Sequence, residues 1–229
     1  DRARFIYLLP NFLNPTGRTM SEARRAAVAA AARETGVPLI EDDVYAELHF
    51  GPAAPLCSKA VDPQGRVMHV SSFSKCLAPG YRIGWVAAGR YAGLIQRQKL
   101  STSLATTVPV QIAMADYLRQ GGYENHLRHL RRSLAAQEAA LVAAIEAHFP
   151  EGTRLARPQG GYFLWLELPR RVDALALHRQ ALAHGISIAP GPIFSAKREF
   201  GHCIRLNFGH PVDARSLEAA ATLGRLLAA

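Results

Sequence analysis

Apolar residues in this chain gather in short runs separated by polar, glycine and proline punctuation, and the runs alternate between strand-like and helix-like spacing. Residues 5–9 form the first run, a buried strand that stops at Pro10 and leads into the turn Asn14-Pro15-Thr16-Gly17. A helix is predicted from Ser21, a good N-cap, through alanine-rich sequence to Arg33, with Gly36 closing it. Residues 37–40 read as a second strand ending at Glu41-Asp42-Asp43, residues 67–70 as a third ending at Ser71-Ser72-Phe73-Ser74-Lys75, and residues 83–87 as a fourth. Strands linked by helical connections predict an α/β sheet with largely parallel strands. Near Tyr91 the pattern becomes long helix to about His148, interrupted near Pro109 and at Gly121-Gly122. Residues 150–161 are loop-like. Strands follow at 162–168, 186–189 and 203–208, with helices at about 173–184 and 213–227. These describe a second, α+β unit, so the domains expected are 1–105 and 106–229.

A length of 229 residues supports one large domain or two modest ones, and 49% hydrophobic with 20% charged residues is ordinary globular composition. No apolar run reaches the roughly 18 residues of a membrane span. The three cysteines, Cys57, Cys76 and Cys203, are widely spaced without a C-x-x-C, which argues against a disulfide scaffold and against a zinc site, so a reducing cytoplasm is expected. The net charge of +9 rests mainly on arginine and favours phosphate-bearing partners of any kind. Lysine occurs only at Lys59, Lys75, Lys99 and Lys197, which narrows any lysine chemistry to four positions.

Three polar clusters follow three successive strands: Asn14, then Asp42 with Tyr45, then Ser72 with Lys75. In open α/β sheets ligands collect at the carboxyl ends of parallel strands, so these clusters are expected to converge. A lysine beside hydroxyls, with the fixed cation Arg82 seven residues on, suits an anionic carbonyl cofactor. Arg82 offers a planar fork for a phosphate. A carboxylate such as Asp42 holds a pyridinium nitrogen protonated, and the Tyr45 hydroxyl and Asn14 amide hydrogen-bond a ring oxygen. Together they describe a pyridoxal 5'-phosphate site. Taken singly each motif is weak: Asn-Pro-Thr-Gly is a common turn, Asp42 and Asp43 at a strand end are ordinarily solvated, and a lone Lys75 is ordinarily a surface residue.

The ordered set Asn14-Pro15-Thr16-Gly17, Asp42-Asp43-Val44-Tyr45, Ser72-Phe73-Ser74-Lys75 with Arg82, and Arg205-Leu206-Asn207-Phe208 resembles the class I/II aminotransferase family, pyridoxal-phosphate fold type I, over essentially the whole chain. The resemblance implies that Lys75 forms an imine with the cofactor and that Asp42 pairs with the pyridine nitrogen. It further implies that Asn14 and Tyr45 contact the ring oxygen, that Ser72 and Arg82 bind the phosphate, and that Arg205 clamps a substrate α-carboxylate. The stretches 71–82, Gly121-Gly122-Tyr123 and 185–195 resemble one branch in particular, the aminotransferase-like effector domain of GntR/MocR-type transcriptional regulators. That branch implies sensing of cofactor, or of an amine or amino acid ligand, by imine exchange at Lys75, with DNA bound only by a separate N-terminal domain. Family members carry about half of the large domain upstream of the strand at Phe5, including a phosphate loop and a ring-stacking aromatic. The chain is therefore expected to be the C-terminal part of the fold, with a partial sheet, the small C-terminal domain, a homodimeric habit and no full catalytic competence alone. A stand-alone aminotransferase, moving an amino group between an L-amino acid and a 2-oxo acid, is the alternative, and a scaffold without cofactor is a third.

Other candidates are read blandly. Arg205 is as well suited to a structural ion pair as to a ligand. His126 and His129 stand at i, i+3 among Arg128, Arg131 and Arg132, a solvated cationic face rather than a metal site. Cys76 is expected to pack, not react.

Overall fold

The computed structural model describes residues 3–228. The described residues divide into two compact units: one holds those up to Leu13 and Arg18–Leu130, the other Asn14–Gly17 and those from Arg131 on.

The first unit is built on a four-stranded sheet ordered β1 (Ile6–Leu8), β2 (Leu39–Asp42), β3 (Val67–Ser72), β4 (Gly84–Ala87). The first three strands are parallel and β4 runs antiparallel to β3, with Ser72 opposite Gly84. Residues 73–83 make that connection, too short for the dozen or more residues that a parallel crossover needs. Helix α1 (Glu22–Thr35) begins where the Ser21 hydroxyl accepts from the Arg24 amide at 3.4 Å, and ends at Gly36, whose φ of 72° is left-handed. Its Val28 and Ala32 pack on Ile6, Leu8, Leu39 and Val67, which all lie on one face of the sheet. Tyr7, Ile40, Asp42, Met68, Val70 and Ser72 alternate onto the other face.

The expected long helix is three helices: α2 (Ala92–Ser103), α3 (Val108–Arg119) and α4 (Gly122–His148). The breaks fall where Pro109 occupies the first turn of α3 and where Gly121 takes φ 73°. Helices α2 and α3, on either side of residue 105, belong to the first unit, and α4 passes from the first to the second after Leu130.

The second unit carries an antiparallel sheet ordered β5 (Arg154–Leu155), β6 (Phe163–Glu167), β8 (Cys203–Asn207), β7 (Ala189–Pro190). Helices α5 (Ala174–Ala183) and α6 (Ala214–Ala228) pack on each other. Val142, Leu164, Leu166 and Ile204 are fully buried in its core. Two details differ from the expectation. The short β5 lies inside the stretch read as loop, and the strand expected at 186–189 is Ala189–Pro190, on the sheet edge, where a residue without an N–H is tolerated. Gly224 on α6 has no room for a Cβ, which would stand 2.3 Å from the His148 carbonyl oxygen, so α4 and α6 meet backbone to backbone. Among the described residues no helix is long and apolar enough to cross a membrane.

Candidate functional site

In the first unit the predicted residues sit at the carboxyl ends of β2 and β3. Asp42 is the last residue of β2 and pairs with Val70, two positions before Ser72 ends β3, so Asp42 and Ser72 lie on the same face of neighbouring strands. The Tyr7 hydroxyl donates a hydrogen bond to Asp42 Oδ2. Asp42 Oδ1 is buried with no hydrogen-bond partner among the described residues. Burial, then the hydrogen bond to Asp42 and its charge, push the Tyr7 hydroxyl pKa up to about 12. Tyr45 follows in a short 3₁₀ turn and is 6% exposed.

The segment after β2 is anchored from beneath by a buried polar network that the sequence reading missed. Asp43, read there as solvated when taken by itself, is 5% exposed: its Oδ1 accepts from Asn11 Nδ2 at 2.6 Å, and its Oδ2 lies 3.0 Å from His69 Nε2. Asn11 Oδ1 in turn accepts from Arg25 at 2.9 Å, and Arg25 stands 3.9 Å from the fully buried Glu41. Nothing in the linear pattern marks these partners except that a charged or amide side chain interrupts an apolar run.

Lys75 lies on the loop after β3, exposed, and among the described residues its amine has no hydrogen-bond or ion-pair partner. Its neighbours are fixed. Phe73 N donates to Ile83 O at 3.1 Å, closing the loop, and the Phe73 ring meets the Tyr123 ring edge-on at 5.6 Å. Cys76 is buried, its Sγ 3.1 Å from the Tyr123 hydroxyl, and its carbonyl oxygen lies 2.7 Å from His126 Nε2. Burial foremost, then the Cys76 contact, raises the Tyr123 hydroxyl pKa. His126 is thus part-buried and engaged rather than on a solvated face, a correction to the sequence reading; the helix α4 presents it one turn past Tyr123 to the lysine loop. Arg82 has left-handed backbone, φ 55° and ψ 37°, and its guanidinium donates to Ser74 Oγ at 3.3 Å and to the Pro79 carbonyl at 3.2 Å. Gly84, next but one, has no room for a Cβ, which would stand 2.9 Å from Ser71 O.

Asn14 and Arg205 meet in the second unit. Arg205 lies mid-strand on β8, with Ile204 and Leu206 buried on either side, so alternation turns it to the other face. Its guanidinium carbon is 4.4 Å from the Phe163 ring centre and 5.1 Å from that of Phe194, and its Nη1 donates to Asn14 Oδ1 at 2.7 Å. Stacking between two rings holds the fork in place. Gly17 closes the Asn14 turn at φ 65°, where a Cβ would come within 3.1 Å of the Phe163 carbonyl oxygen. A cleft of about 700 Å³ in this unit, bordered by His184, Ser187, His210, Asp213 and Arg215, includes none of the predicted residues. Among the described residues there is no cluster of metal-ligating side chains.

The profile of the aminotransferase class I and II family matches residues 3–222. The chain is 44% identical to the uncharacterized HTH-type transcriptional regulator YdcR of Escherichia coli K12, over 96% of this chain and 47% of that protein. It is 32% identical to aromatic-amino-acid aminotransferase 1 of Thermococcus litoralis, over 99% of this chain and 54% of that one. The structure of Pyrococcus horikoshii kynurenine aminotransferase, solved with PMP, superposes with a TM-score of 0.91 at 34% identity, covering 99% of this chain and 56% of that one. The chain spans about half the length of the curated relatives it matches. With the family profile running over nearly its entire length and the backbone following fold type I aminotransferases, the chain belongs to the aminotransferase class I and II family.

Proposed function

We propose that this chain is the pyridoxal 5'-phosphate-binding, aminotransferase-like effector region of a GntR/MocR-type transcriptional regulator that senses the cofactor, or an amine or amino acid, at Lys75. The observation that carries the cofactor reading is Asp42: a carboxylate oxygen buried without a partner at a strand end is an acceptor awaiting a donor, which a pyridine N–H supplies. Pyridoxal 5'-phosphate, when bound, supplies an electrophilic carbonyl and an electron-withdrawing ring.

The chain's own residues divide the work. Lys75 is the attachment point; Lys59 Nζ is occupied with the Val67 carbonyl at 2.9 Å and Lys99 Nζ with that of Leu104 at 3.4 Å, whereas the amines of Lys75 and Lys197 have no partner among the described residues, and of these two Lys75 follows β3, whose carboxyl end lies beside that of β2 with Asp42. Ser72 and Arg82 bind the phosphate, the latter as a cation whose backbone is already fixed. Tyr45 donates to the ring oxygen. Asn14, with Oδ1 engaged by Arg205, has its amide NH₂ left to donate to the same oxygen. Arg205, stacked between Phe163 and Phe194, holds a ligand carboxylate. The regulator reading is favoured by the 44% identity to an HTH-type regulator against 32% to an aminotransferase. In it, DNA is bound by a separate domain, the protein works as a cytoplasmic homodimer, and ligand binding shifts a two-state equilibrium by differential affinity. The alternative, a working aminotransferase, is supported by the same catalytic set: Lys75 Nζ then takes the substrate α-proton as general base.

The test is to mix the protein with pyridoxal 5'-phosphate, record the visible spectrum, reduce with borohydride and map the modified peptide. A visible band with label on Lys75 is expected. Label spread over Lys59, Lys99 and Lys197, or no band in the intact protein, refutes the cofactor reading. Multiple-turnover transamination by that intact protein, with no operator DNA retained, would move the assignment to the enzyme.

A further inference from the structure

The register of β1 against β2 does something that the proposed roles leave unused. Tyr7 lies opposite Ile40, and Asp42 is two residues further along β2, so both side chains emerge on the sheet face away from α1. The Tyr7 hydroxyl reaches Asp42 Oδ2 while Asp42 Oδ1, the other oxygen of the same carboxylate, is buried and unpartnered. A carboxylate turns about its last bond over a broad, roughly two-fold well, so an unrestrained one does not choose which oxygen it presents. Here one oxygen is tethered and the other is left over.

We propose that Tyr7 is a positioning residue for Asp42: by holding Oδ2 it orients the carboxylate so that Oδ1 alone faces the ring nitrogen of a bound pyridine cofactor. The inference rests on Asp42 being the ring-nitrogen partner. The tyrosine suits the task for two physical reasons. Its hydroxyl stays protonated well past neutrality, because partial burial and the carboxylate itself both oppose its ionisation, so it remains a donor at neutral pH although the residue is 53% exposed. Its ring is stiff, with two side-chain torsions, and springs from a paired strand rather than a loop, so the donor is fixed relative to β2. A hydrogen bond to a charged acceptor is stronger than a neutral one, and a correctly aimed Oδ1 exchanges a similar bond with the ring N–H.

The experiment uses the intact protein loaded with pyridoxal 5'-phosphate carrying ¹⁵N in the ring, and reads both the ring-nitrogen chemical shift and the cofactor dissociation constant. Four proteins are compared: wild type, Tyr7→Phe, Asp42→Asn, and Phe5→Leu as a control on an exposed side chain of the same face. Tyr7→Phe keeps the ring and removes one oxygen. It is expected to displace the ring-nitrogen resonance and weaken cofactor binding roughly five- to tenfold, the worth of one good hydrogen bond. Phe5→Leu is expected to leave both unchanged. In the Asp42→Asn background, Tyr7→Phe is expected to add less than twofold, because the group through which it acts is gone. A resonance unmoved by Tyr7→Phe but moved by Asp42→Asn overturns the positioning role and leaves the Asp42 reading intact. Equal effects from Tyr7→Phe and Phe5→Leu overturn it as well, since that would be a packing effect of the whole face. A resonance unmoved by Asp42→Asn overturns the Asp42 reading, and the role of Tyr7 with it.

Discussion

Replacing Arg25 by Met tests whether the buried network beneath β2 carries both stability and function. The Arg25 side chain is 7% exposed and donates to the Leu56 carbonyl at 2.5 Å, to Asn11 Oδ1 at 2.9 Å and to the Met20 carbonyl at 3.2 Å, with Glu41 at 3.9 Å. Met fills a similar volume, so the cavity cost is small and the loss is electrostatic. It leaves Glu41, a fully buried carboxylate, without its cation, though the Ser58 amide and hydroxyl still bond it. Breaking a buried ion pair from one side costs about 3–5 kcal/mol, and total stability for a domain of this kind is about 5–15 kcal/mol. A fifth or more of the stability is therefore expected to go. Urea unfolding should show the midpoint falling with an unchanged slope. Arg33→Met, exposed in the last turn of the same helix, should stay within about 0.5 kcal/mol of wild type. The double variant Arg25→Met/Glu41→Gln should recover part of the loss, because the uncompensated charge is then removed. Function should follow, since Arg25 holds Asn11 and Asn11 holds Asp43, next to the proposed ring-nitrogen partner. Pyridoxal-phosphate affinity is expected to drop although Arg25 touches no cofactor group. A loss below about 1 kcal/mol, or a double variant no more stable than the single, would refute the reasoning.

Arg82→Gly separates stability from binding: relief of left-handed strain, about 1–2 kcal/mol, is offset by glycine's chain entropy and two lost hydrogen bonds, so the melting temperature of the cofactor-free protein should barely move while cofactor affinity falls at least tenfold. Gly191→Ala should destabilise by about 1–3 kcal/mol in urea, because its Cβ would stand 2.3 Å from the Phe200 carbonyl oxygen and 2.9 Å from that of Cys203. Glu138 is buried with Oε1 unpartnered, and burial, opposed by Arg157 and aided by Glu146, raises its carboxyl pKa. A raised folded-state pKa means that the folded protein holds the proton more tightly, so its contribution is intact below the ordinary carboxylate range and lost as pH rises through the raised value. Glu138→Gln should therefore gain on wild type between about pH 4 and pH 8, read from urea midpoints at both ends; a gap independent of pH would contradict this.

Much of this arrangement is legible in one dimension because strand ends and loop chemistry are local. Asp42 and Ser72 close β2 and β3 where the apolar runs at 37–40 and 67–70 give out, and Pro109, Gly121 and Gly36 mark real helix boundaries. What escaped is what pairing decides. Tyr7 reads as one more apolar residue in its run, and only the parallel register of β1 on β2 brings its hydroxyl to a carboxylate 35 residues on. Nothing local marks Asp43 as buried, because its partners, Asn11 and His69, arrive from two other segments. The direction of β4 was open to arithmetic, since residues 73–83 are too few for a crossover. The edge strands β5 and β7 were not, because two residues carry no period.

The proposed site residues differ in how they are held, and the difference follows their chemistry. Those assigned to binding are braced within their own unit: Asp42 by Tyr7, Arg82 by Ser74 and Pro79, Arg205 by Asn14 and two aromatic rings. Donors and acceptors fixed in advance need no reordering when a ligand arrives, so less of the binding free energy is lost to entropy. Lys75 alone is assigned a covalent bond, and its amine has no partner among the described residues, although Phe73 and Cys76 on either side of it are held by Tyr123 and His126. An amine that must bond to a carbonyl carbon gains nothing from a strong resident hydrogen bond, which it would have to break first. A loop fixed at its neighbours and loose at the nucleophile keeps the approach short while leaving the reacting atom uncommitted. Loosening that frame, as Tyr123→Phe does by removing the Cys76 contact, should slow attachment at Lys75 more than it weakens the phosphate hold of Ser72 and Arg82.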